Sequence, residues 1–318
     1  MACKPLIVAT LMALTFDTAE AAGVPTAEPG GDTVVLWPAG VPGAGHVQVT
    51  QALTERATDG PPRDRIAEHV TRPLMTLVHA KGKPNGITLL IVPGGGYVRV
   101  VIDKEGFETA DWFAQRGFEC AVLRYRMPAD GWAAGADAPV HDAMRALRLL
   151  RQQRAATANA RFGVMGFSAG GHLTARLITE PGLAYPRQDA ADELSARPDF
   201  AVLVYPVILT EGAAAHPGSV KQLLAAGVPA ANLKLLSPQS NVSAQTPPTL
   251  LVHAADDASV PVENSLAMYS ALRAAGVRSE LHVFDRGGHG FGLRGIQGID
   301  AATWPQLVEN WALANAKQ

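Results

Sequence analysis

A serine flanked by small residues is the feature of this chain whose chemistry is easiest to interpret. Ser168 lies in segment 166–170 (GFSAG), which has the form G-x-S-x-G and follows the strand-like run 161–165. A sharp turn from a strand into a helix exposes a serine hydroxyl, and small residues two places before and after it allow that turn. The motif predicts a nucleophile followed by a helix over 171–179, although a chain with 31 glycines could also carry it as a plain glycine-rich loop.

A glycine loop could supply the donors that such a nucleophile needs. Segment 93–97 (PGGGY) follows the predicted strand 87–92 directly. Glycines let backbone N–H groups approach a substrate, where they stabilise the negative oxygen of a tetrahedral intermediate. We therefore expect hydrogen-bond donors here, with a simple turn as the alternative.

A histidine and an acid follow the serine in an order that would complete a catalytic triad. His289 lies in the glycine-rich segment 286–292 after a predicted strand, where it could take the proton from Ser168 and return it to the leaving group. Asp256 and Asp257 both follow the strand-like run 249–252, and either could fix the histidine tautomer. The remaining histidines form no H-E-x-x-H motif or metal-spaced cluster, so we predict no metal and no cofactor.

The glycine loop followed by G-x-S-x-G resembles the esterases of the α/β-hydrolase superfamily that carry an H-G-G-G loop. By that resemblance, the N–H groups of Gly95, Gly96 and Ala169 form the oxyanion hole. Pro93 stands where those esterases have a histidine that braces the loop, so the loop must be supported differently here.

The same resemblance favours one of the two aspartates. Esterases of this kind tend to have D-x-x-V-P after the strand, which selects Asp257 because Val260 lies three residues later. Asp256 remains the fallback, and we expect it to cap the turn that leads into the helix near Val262.

The resemblance extends from about residue 36 to the C-terminus and is more specific than the superfamily. Segments 36–43, 247–254 and 287–292 are similar to exported bacterial esterases related to acetylxylan esterases. This implies a serine carboxylesterase that hydrolyses short-chain (acetyl) esters, such as those on acetylated xylan or a related plant cell-wall saccharide. Some relatives are called xylanases, but the paired carboxylates of a glycosidase have no evident candidates in this sequence.

Two alternatives differ in substrate or in class. A feruloyl or general short-acyl esterase would use the same machinery, and a non-catalytic binding protein could retain the fold. Candidate pocket or cap residues are Tyr97, Trp132, Tyr205 and His216, each of which could equally pack in the core.

The elements that must position these residues alternate between strands and helices. We predict strands over 74–78, 87–92, 120–123, 162–165, 200–205, 249–252 and 280–284, and helices over 105–116, 140–154, 171–179, 262–274 and 301–314. This alternation predicts an α/β protein with a mostly parallel central sheet and helices on both faces, as in the α/β-hydrolase fold. The long proline-containing segment 207–248 is a possible small cap or lid within a catalytic domain over 36–318.

Composition and the N-terminus limit the partners and the location. The 318 residues are 47% hydrophobic and 18% charged with a net charge of −2, so we expect neither nucleic acid nor a membrane surface as a partner. An apolar run over 5–14 followed by Ala19 and Ala21 predicts a signal peptide over 1–21, then a flexible leader over 22–35. We therefore expect export to the periplasm or medium, a mature chain without a membrane span, and an ester substrate as the partner; the oligomeric state is not predicted.

Overall fold

Strands and helices alternate along the part of the chain that the computed structural model describes, residues 32–157 and 159–315. The strands are β1 (Thr33–Val35), β2 (Ala52–Glu55), β3 (Arg65–Glu68), β4 (Leu74–Val78), β5 (Ile87–Val92), β6 (Arg99–Val101), β7 (Glu119–Arg124), β8 (Arg161–Phe167), β9 (Phe200–Val204), β10 (Thr249–Ala254) and β11 (Ser279–Phe284). The α-helices are α1 (Glu108–Ala114), α2 (Ala138–Gln153), α3 (Ser168–Thr179), α4 (Pro217–Ala225), α5 (Glu263–Ala274) and α6 (Trp304–Asn315).

Eight of these strands form the central sheet, in the order β1-β4-β7-β5-β8-β9-β10-β11. All neighbours from β7 to β11 pair in parallel, whereas β4 runs antiparallel to β1 and to β7. Strands β2, β3 and β6 form a separate antiparallel sheet. The carboxyl ends of β5, β8, β10 and β11 lie along the same edge of the central sheet, where open α/β sheets bind their ligands.

Apolar side chains cover both faces of the central sheet because its parallel strands are buried on both sides. Helices α2, α3 and α5 contribute to one core cluster, and α1 and α6 contribute to the other. Strand β5 is buried along its whole length. The predicted α/β-hydrolase fold, with a mostly parallel sheet between two layers of helices, is confirmed.

Some boundaries differ from those predicted. Helix α3 begins at Ser168 itself rather than at residue 171. A π-helical turn over Ile102–Phe107 precedes α1, where the sequence predicts one continuous helix from residue 105. Residues Thr33–Val35, predicted within the flexible leader, pair with β4 as strand β1, so the folded domain starts before residue 36.

The predicted signal peptide over 1–21 lies outside the described residues. Among the helices of the described ranges, none is both long enough and apolar enough to cross a membrane. Segment 207–248 connects β9 to β10 and contains α4 and the short 3-10 helices Ala230–Leu236 and Pro238–Asn241.

Candidate active site

Ser168 lies on a strained turn between β8 and α3. Its backbone φ is 50°, in the left-handed region that residues with a side chain rarely adopt. As the first residue of α3, it lies where the helix leaves backbone N–H groups without internal partners. This turn directs the hydroxyl towards the sheet edge at which β5 also ends.

The glycines of the G-x-S-x-G motif are required because the chain packs closely around the turn. A Cβ atom on Gly166 would overlap Thr174 Oγ1 and the Gly170 carbonyl oxygen, and one on Gly170 would overlap the carbonyl oxygens of Val92 and Pro93. The end of β5 is thereby packed directly against the start of α3. Tight packing of main chain on main chain fixes the position of Ser168.

The glycine loop after β5 turns back on itself beside Ser168. Gly95 and Gly96 have φ values of 132° and 65°, which favour glycine, and the Gly95 carbonyl accepts the N–H groups of Val98 and Arg99. Within the described residues, the N–H groups of Gly95 and Gly96 donate to no protein acceptor. With the N–H of Ala169 in the first turn of α3, they are free to donate to a ligand oxygen.

Ser168, His289 and Asp257 form one continuous chain of hydrogen bonds. Ser168 Oγ lies 2.9 Å from His289 Nε2, and His289 Nδ1 lies 2.7 Å from Asp257 Oδ2. Asp257 Oδ1 accepts the N–H groups of Ser259 and Val260, both at 2.9 Å. The carboxylate therefore requires an N–H at His289 Nδ1, which leaves Nε2 free to accept the serine proton.

Asp256 has a different contact from its neighbour. Its Oδ1 accepts the N–H groups of Gly287 and Gly288 at 2.9 and 2.7 Å, so it anchors the loop that carries His289. The prediction that Asp256 caps the turn into the next helix is wrong, because its bonds go to the histidine loop and the start of α5 at Val262 receives no capping bond from a side chain.

A second histidine, which the sequence interpretation missed, lies behind Asp257. His253 is fully buried, its Nε2 lies 2.9 Å from the Val260 carbonyl and 3.3 Å from Asp257 Oδ2, and its Nδ1 lies 2.7 Å from Ser265 Oγ. Burial alone would raise the pKa of Asp257, but hydrogen bonds from His253, His289 and the Val260 N–H hold that pKa well below its usual range. Asp257 is therefore ionised at neutral pH.

A buried glutamate supports the glycine loop in place of the histidine that Pro93 replaces. Glu105 Oε2 accepts the Gly94 N–H at 2.7 Å, and Oε1 accepts the Tyr205 hydroxyl at 3.0 Å. The Tyr125 hydroxyl donates to the Pro93 carbonyl at 2.8 Å. Glu105 lies in the π-helical turn after β6, and no spacing in the sequence indicated this contact.

A cleft of about 400 Å³ opens over Ser168 and His289. Residues from loops at this edge of the sheet and from the starts of α3 and α4 line it, namely Arg56, Gly95, Gly96, Val98, Arg99, Val101, Lys104, Glu105, Ser168, His216, Gly218, Ser259, His289 and Gly290. Of the four predicted pocket residues, His216 lines this cleft directly. Its Nδ1 accepts the Ser219 N–H, which leaves Nε2–H free to face a ligand.

Two predicted pocket residues pack elsewhere, so their assignment to the pocket is corrected. The Tyr97 hydroxyl donates to His172 Nδ1 at 2.8 Å, and burial first, then Arg176, lowers the pKa of His172 to about 3, which keeps that imidazole neutral. Trp132 is 5% exposed and stacks on the Arg126 guanidinium, 4.9 Å from the ring centroid. Both side chains are held in the core by these contacts.

Tyr205 lies behind the catalytic histidine candidate rather than on the cleft wall. Its ring is fully buried and meets the His289 ring edge to face at 5.2 Å. Its hydroxyl accepts the Gly292 N–H at 3.2 Å while donating to Glu105. Tyr205 thus links the glycine loop to the histidine loop.

No group of three or more metal-binding side chains occurs within residues 32–157 and 159–315.

The parallel sheet, the serine turn and the adjacent glycine loop define an α/β hydrolase. The sequence profile of the alpha/beta hydrolase fold family matches residues 91–293, and the chain belongs to that family.

Two relatives are identical to this chain at 33% of the matched positions. The chain is similar to an acetylxylan esterase of Xylanibacter ruminicola, at 33% identity over 218 residues, which covers 66% of this chain and 42% of that protein. It is similar to endo-1,4-beta-xylanase B of Butyrivibrio fibrisolvens, at 33% identity over 204 residues, which covers 64% of this chain and 32% of that protein. The chain thus matches less than half the length of either relative.

One solved structure matches over nearly its full length. It is an acetyl ester-xyloside bifunctional hydrolase from Caldicellulosiruptor lactoaceticus, with 32% identity and a TM-score of 0.66. The match covers 90% of this chain and 97% of that one.

Proposed function

We propose that this protein is a serine carboxylesterase that removes acetyl groups from a saccharide ester such as acetylated xylan. The observation that carries the proposal is the hydrogen-bonded chain Ser168–His289–Asp257 beside the free N–H groups of the glycine loop. The relatives named for acetyl ester hydrolysis support the choice of acyl group.

The proposed reaction uses each group once in acylation and once in deacylation. Ser168 Oγ attacks the ester carbonyl carbon while His289 Nε2 takes its proton, and Asp257 holds the imidazolium. The N–H groups of Gly95, Gly96 and Ala169 donate to the oxyanion, each worth about 3 to 4 kcal/mol of transition-state stabilisation. His289 then protonates the leaving alcohol and activates the water that releases acetate from Ser168.

Glycoside hydrolysis finds less support at this cleft. A glycosidase needs two carboxyl groups on opposite sides of the scissile bond. Among the residues that line the cleft, Glu105 supplies the carboxyl group, and both of its oxygens already accept hydrogen bonds. We therefore propose ester rather than glycoside cleavage.

The segment between β9 and β10 is the candidate for substrate selection. Segment 207–248 brings His216 to the cleft, so we propose that it acts as a cap that contributes to substrate choice.

We propose a signal peptide over 1–21 and export to the periplasm or medium, which N-terminal sequencing of the secreted chain would test. A mature N-terminus at residue 1 would contradict it.

The test is acetate release from acetylated xylan and from 4-nitrophenyl esters of increasing chain length. Ser168→Ala should lower kcat by about 10⁴-fold or more, because the nucleophile is lost. Ser270→Ala, an exposed serine on α5, is the matched control and should retain activity. Preference for longer or aromatic acyl groups would move the assignment to a general or feruloyl esterase, and no turnover of any ester would favour a binding protein.

A further inference from the structure

The cleft over Ser168 is lined by more cationic than anionic side chains, although the protein as a whole carries a small negative charge. Arg56, Arg99 and Lys104 line it, against the single carboxyl group of Glu105 among the same lining residues. The net charge of the whole chain is −2. The cationic character is therefore a local property of the cleft.

The acids around the cleft are already paired. Asp64 binds Arg56 at 2.9 Å, Asp103 binds Arg65 at 2.7 Å, and Glu105 accepts the Gly94 N–H and the Tyr205 hydroxyl. The Arg99 and Lys104 side chains form no hydrogen bond or ion pair in the part of the chain that the structure describes, although Lys104 lies close enough to Glu105 to act on the pKa of that buried carboxyl group. Both side chains are half-buried, so water solvates their charges less completely than it solvates charges on the open surface.

The stems of these two cations pack against two different loops of the site. The stem of Arg99 packs on the glycine loop, where a Cβ on Gly95 would lie 2.9 Å from Arg99 Cγ. The stem of Lys104 packs beside the histidine loop, where a Cβ on Gly292 would lie 3.5 Å from Lys104 Cγ. A ligand seated on Ser168 would therefore have a cation beside each of the two loops.

Neutral ester chemistry makes no use of such charges, because backbone N–H groups suffice for the oxyanion. Unpaired cations in a cleft attract anions and form short charge-assisted hydrogen bonds with carboxylates. We propose that the cleft selects acylated saccharides that carry a carboxylate near the ester, as a uronic acid residue does, and that Arg99 and Lys104 bind that carboxylate. This inference rests on the proposed esterase function.

The test compares two acetylated xylo-oligosaccharides that differ only in a uronic acid side group. The wild-type protein should have the higher kcat/KM for the acidic substrate, and added salt should reduce that preference by screening. Arg99→Gln and Lys104→Gln should each lower the acidic-to-neutral ratio of kcat/KM about threefold to fivefold, through KM, and Arg99→Lys should retain most of it. Lys83→Gln is the matched control, because Lys83 is exposed in the loop before β5, at the other end of the sheet.

Binding without turnover provides an independent measurement. Calorimetry of the Ser168→Ala protein with the deacetylated acidic and neutral oligosaccharides should show tighter binding of the acidic one. Equal affinities, or an equal kcat/KM for both substrates in every variant, would overturn the inference and leave the esterase proposal intact. Absence of turnover on all esters, 4-nitrophenyl acetate included, would instead overturn the esterase proposal, while the calorimetric comparison would still decide whether the cleft binds carboxylates.

Discussion

The two halves of the candidate site are held in place by different means. Around Ser168, main chain packs on main chain, and a Cβ on Gly170 would overlap two carbonyl oxygens at the end of β5. Around His289, side-chain contacts hold the loop in place. Asp256 binds the loop N–H groups, and His253 and Asp257 contact each other behind the imidazole. The nucleophile half therefore depends on small residues, and the histidine half on a network of polar ones.

This difference predicts different responses to substitution. Adding one carbon to the nucleophile half should disturb the packing of strand against helix and so reduce stability. An isosteric change in the histidine half should leave the fold intact and disturb proton transfer instead. Stability and kcat therefore separate the two halves.

The largest effect is expected at Asp257. Asp257→Asn should lower kcat by about 10⁴-fold, because the amide favours the wrong tautomer of His289 and leaves its cation uncompensated. Steady-state kinetics on 4-nitrophenyl acetate would measure this loss. The neighbouring Asp256→Asn is the matched control, with a loss of at most about tenfold, since its amide oxygen can still accept the Gly287 and Gly288 N–H groups. Equal losses in both variants would mean that Asp256 serves His289 during turnover.

The next effect is on stability, in the nucleophile half. Gly170→Ala should lower the free energy of unfolding by about 3 kcal/mol, because the new methyl group overlaps backbone atoms of Val92 and Pro93 that cannot move alone. Chemical denaturation would measure the change. Gly182→Ala is the control, because no atom lies within 4 Å of a Cβ there. Similar stability of the two variants would contradict close packing at the turn.

The elements of the fold also differ in how well the sequence predicts them. The buried parallel strands were predicted to within two residues at each end, because long apolar runs between turn residues leave a clear pattern. Strands β2, β3 and β6 and helix α4 were missed. Strand β2, for example, has four residues that are mostly exposed, so it carries no apolar signal.

The candidate site divides in a similar way. Ser168 and the glycine loop were identified from spacing, because a turn that requires glycine leaves a local motif. Glu105 and His253 lie far in sequence from the groups they support, and no spacing rule relates them. Tyr97 was predicted as a pocket or cap residue, but a positive φ of 63° and its bond to His172 turn it into the core.

A moderate effect is expected at His253, which we treat as a positioning residue. His253→Gln should lower kcat about tenfold with little change in KM, because Asp257 loses one hydrogen bond of the usual strength. Since that bond helps to hold the pKa of Asp257 low, its loss should raise that pKa, which NMR titration of the Asp257 carboxyl carbon would measure. Ser265→Ala keeps the imidazole and should show a smaller shift. An unchanged Asp257 pKa would show that His253 only fills space.

The smallest effect is expected at Glu105, which joins the two halves by binding Gly94 on one side and Tyr205 on the other. Glu105→Gln should lower kcat by no more than about fivefold, or about 1 kcal/mol, because the amide oxygen can still accept the Gly94 N–H and the amide NH2 can donate to the Tyr205 hydroxyl oxygen.

The informative readout for Glu105 is the pH dependence of stability. Burial raises its pKa in the folded protein above the unfolded value of about 4.3, so its contribution to stability is fully present below that pH and is lost as the pH rises through the folded pKa. The Gln variant lacks this loss. Its free energy of unfolding should therefore increase relative to that of the wild type as the pH rises from about 4 towards neutrality. Parallel curves would mean that Glu105 is ionised as readily in the folded protein as in the unfolded chain, in which case a fixed negative charge, and not a shared proton network, holds the glycine loop to the histidine loop.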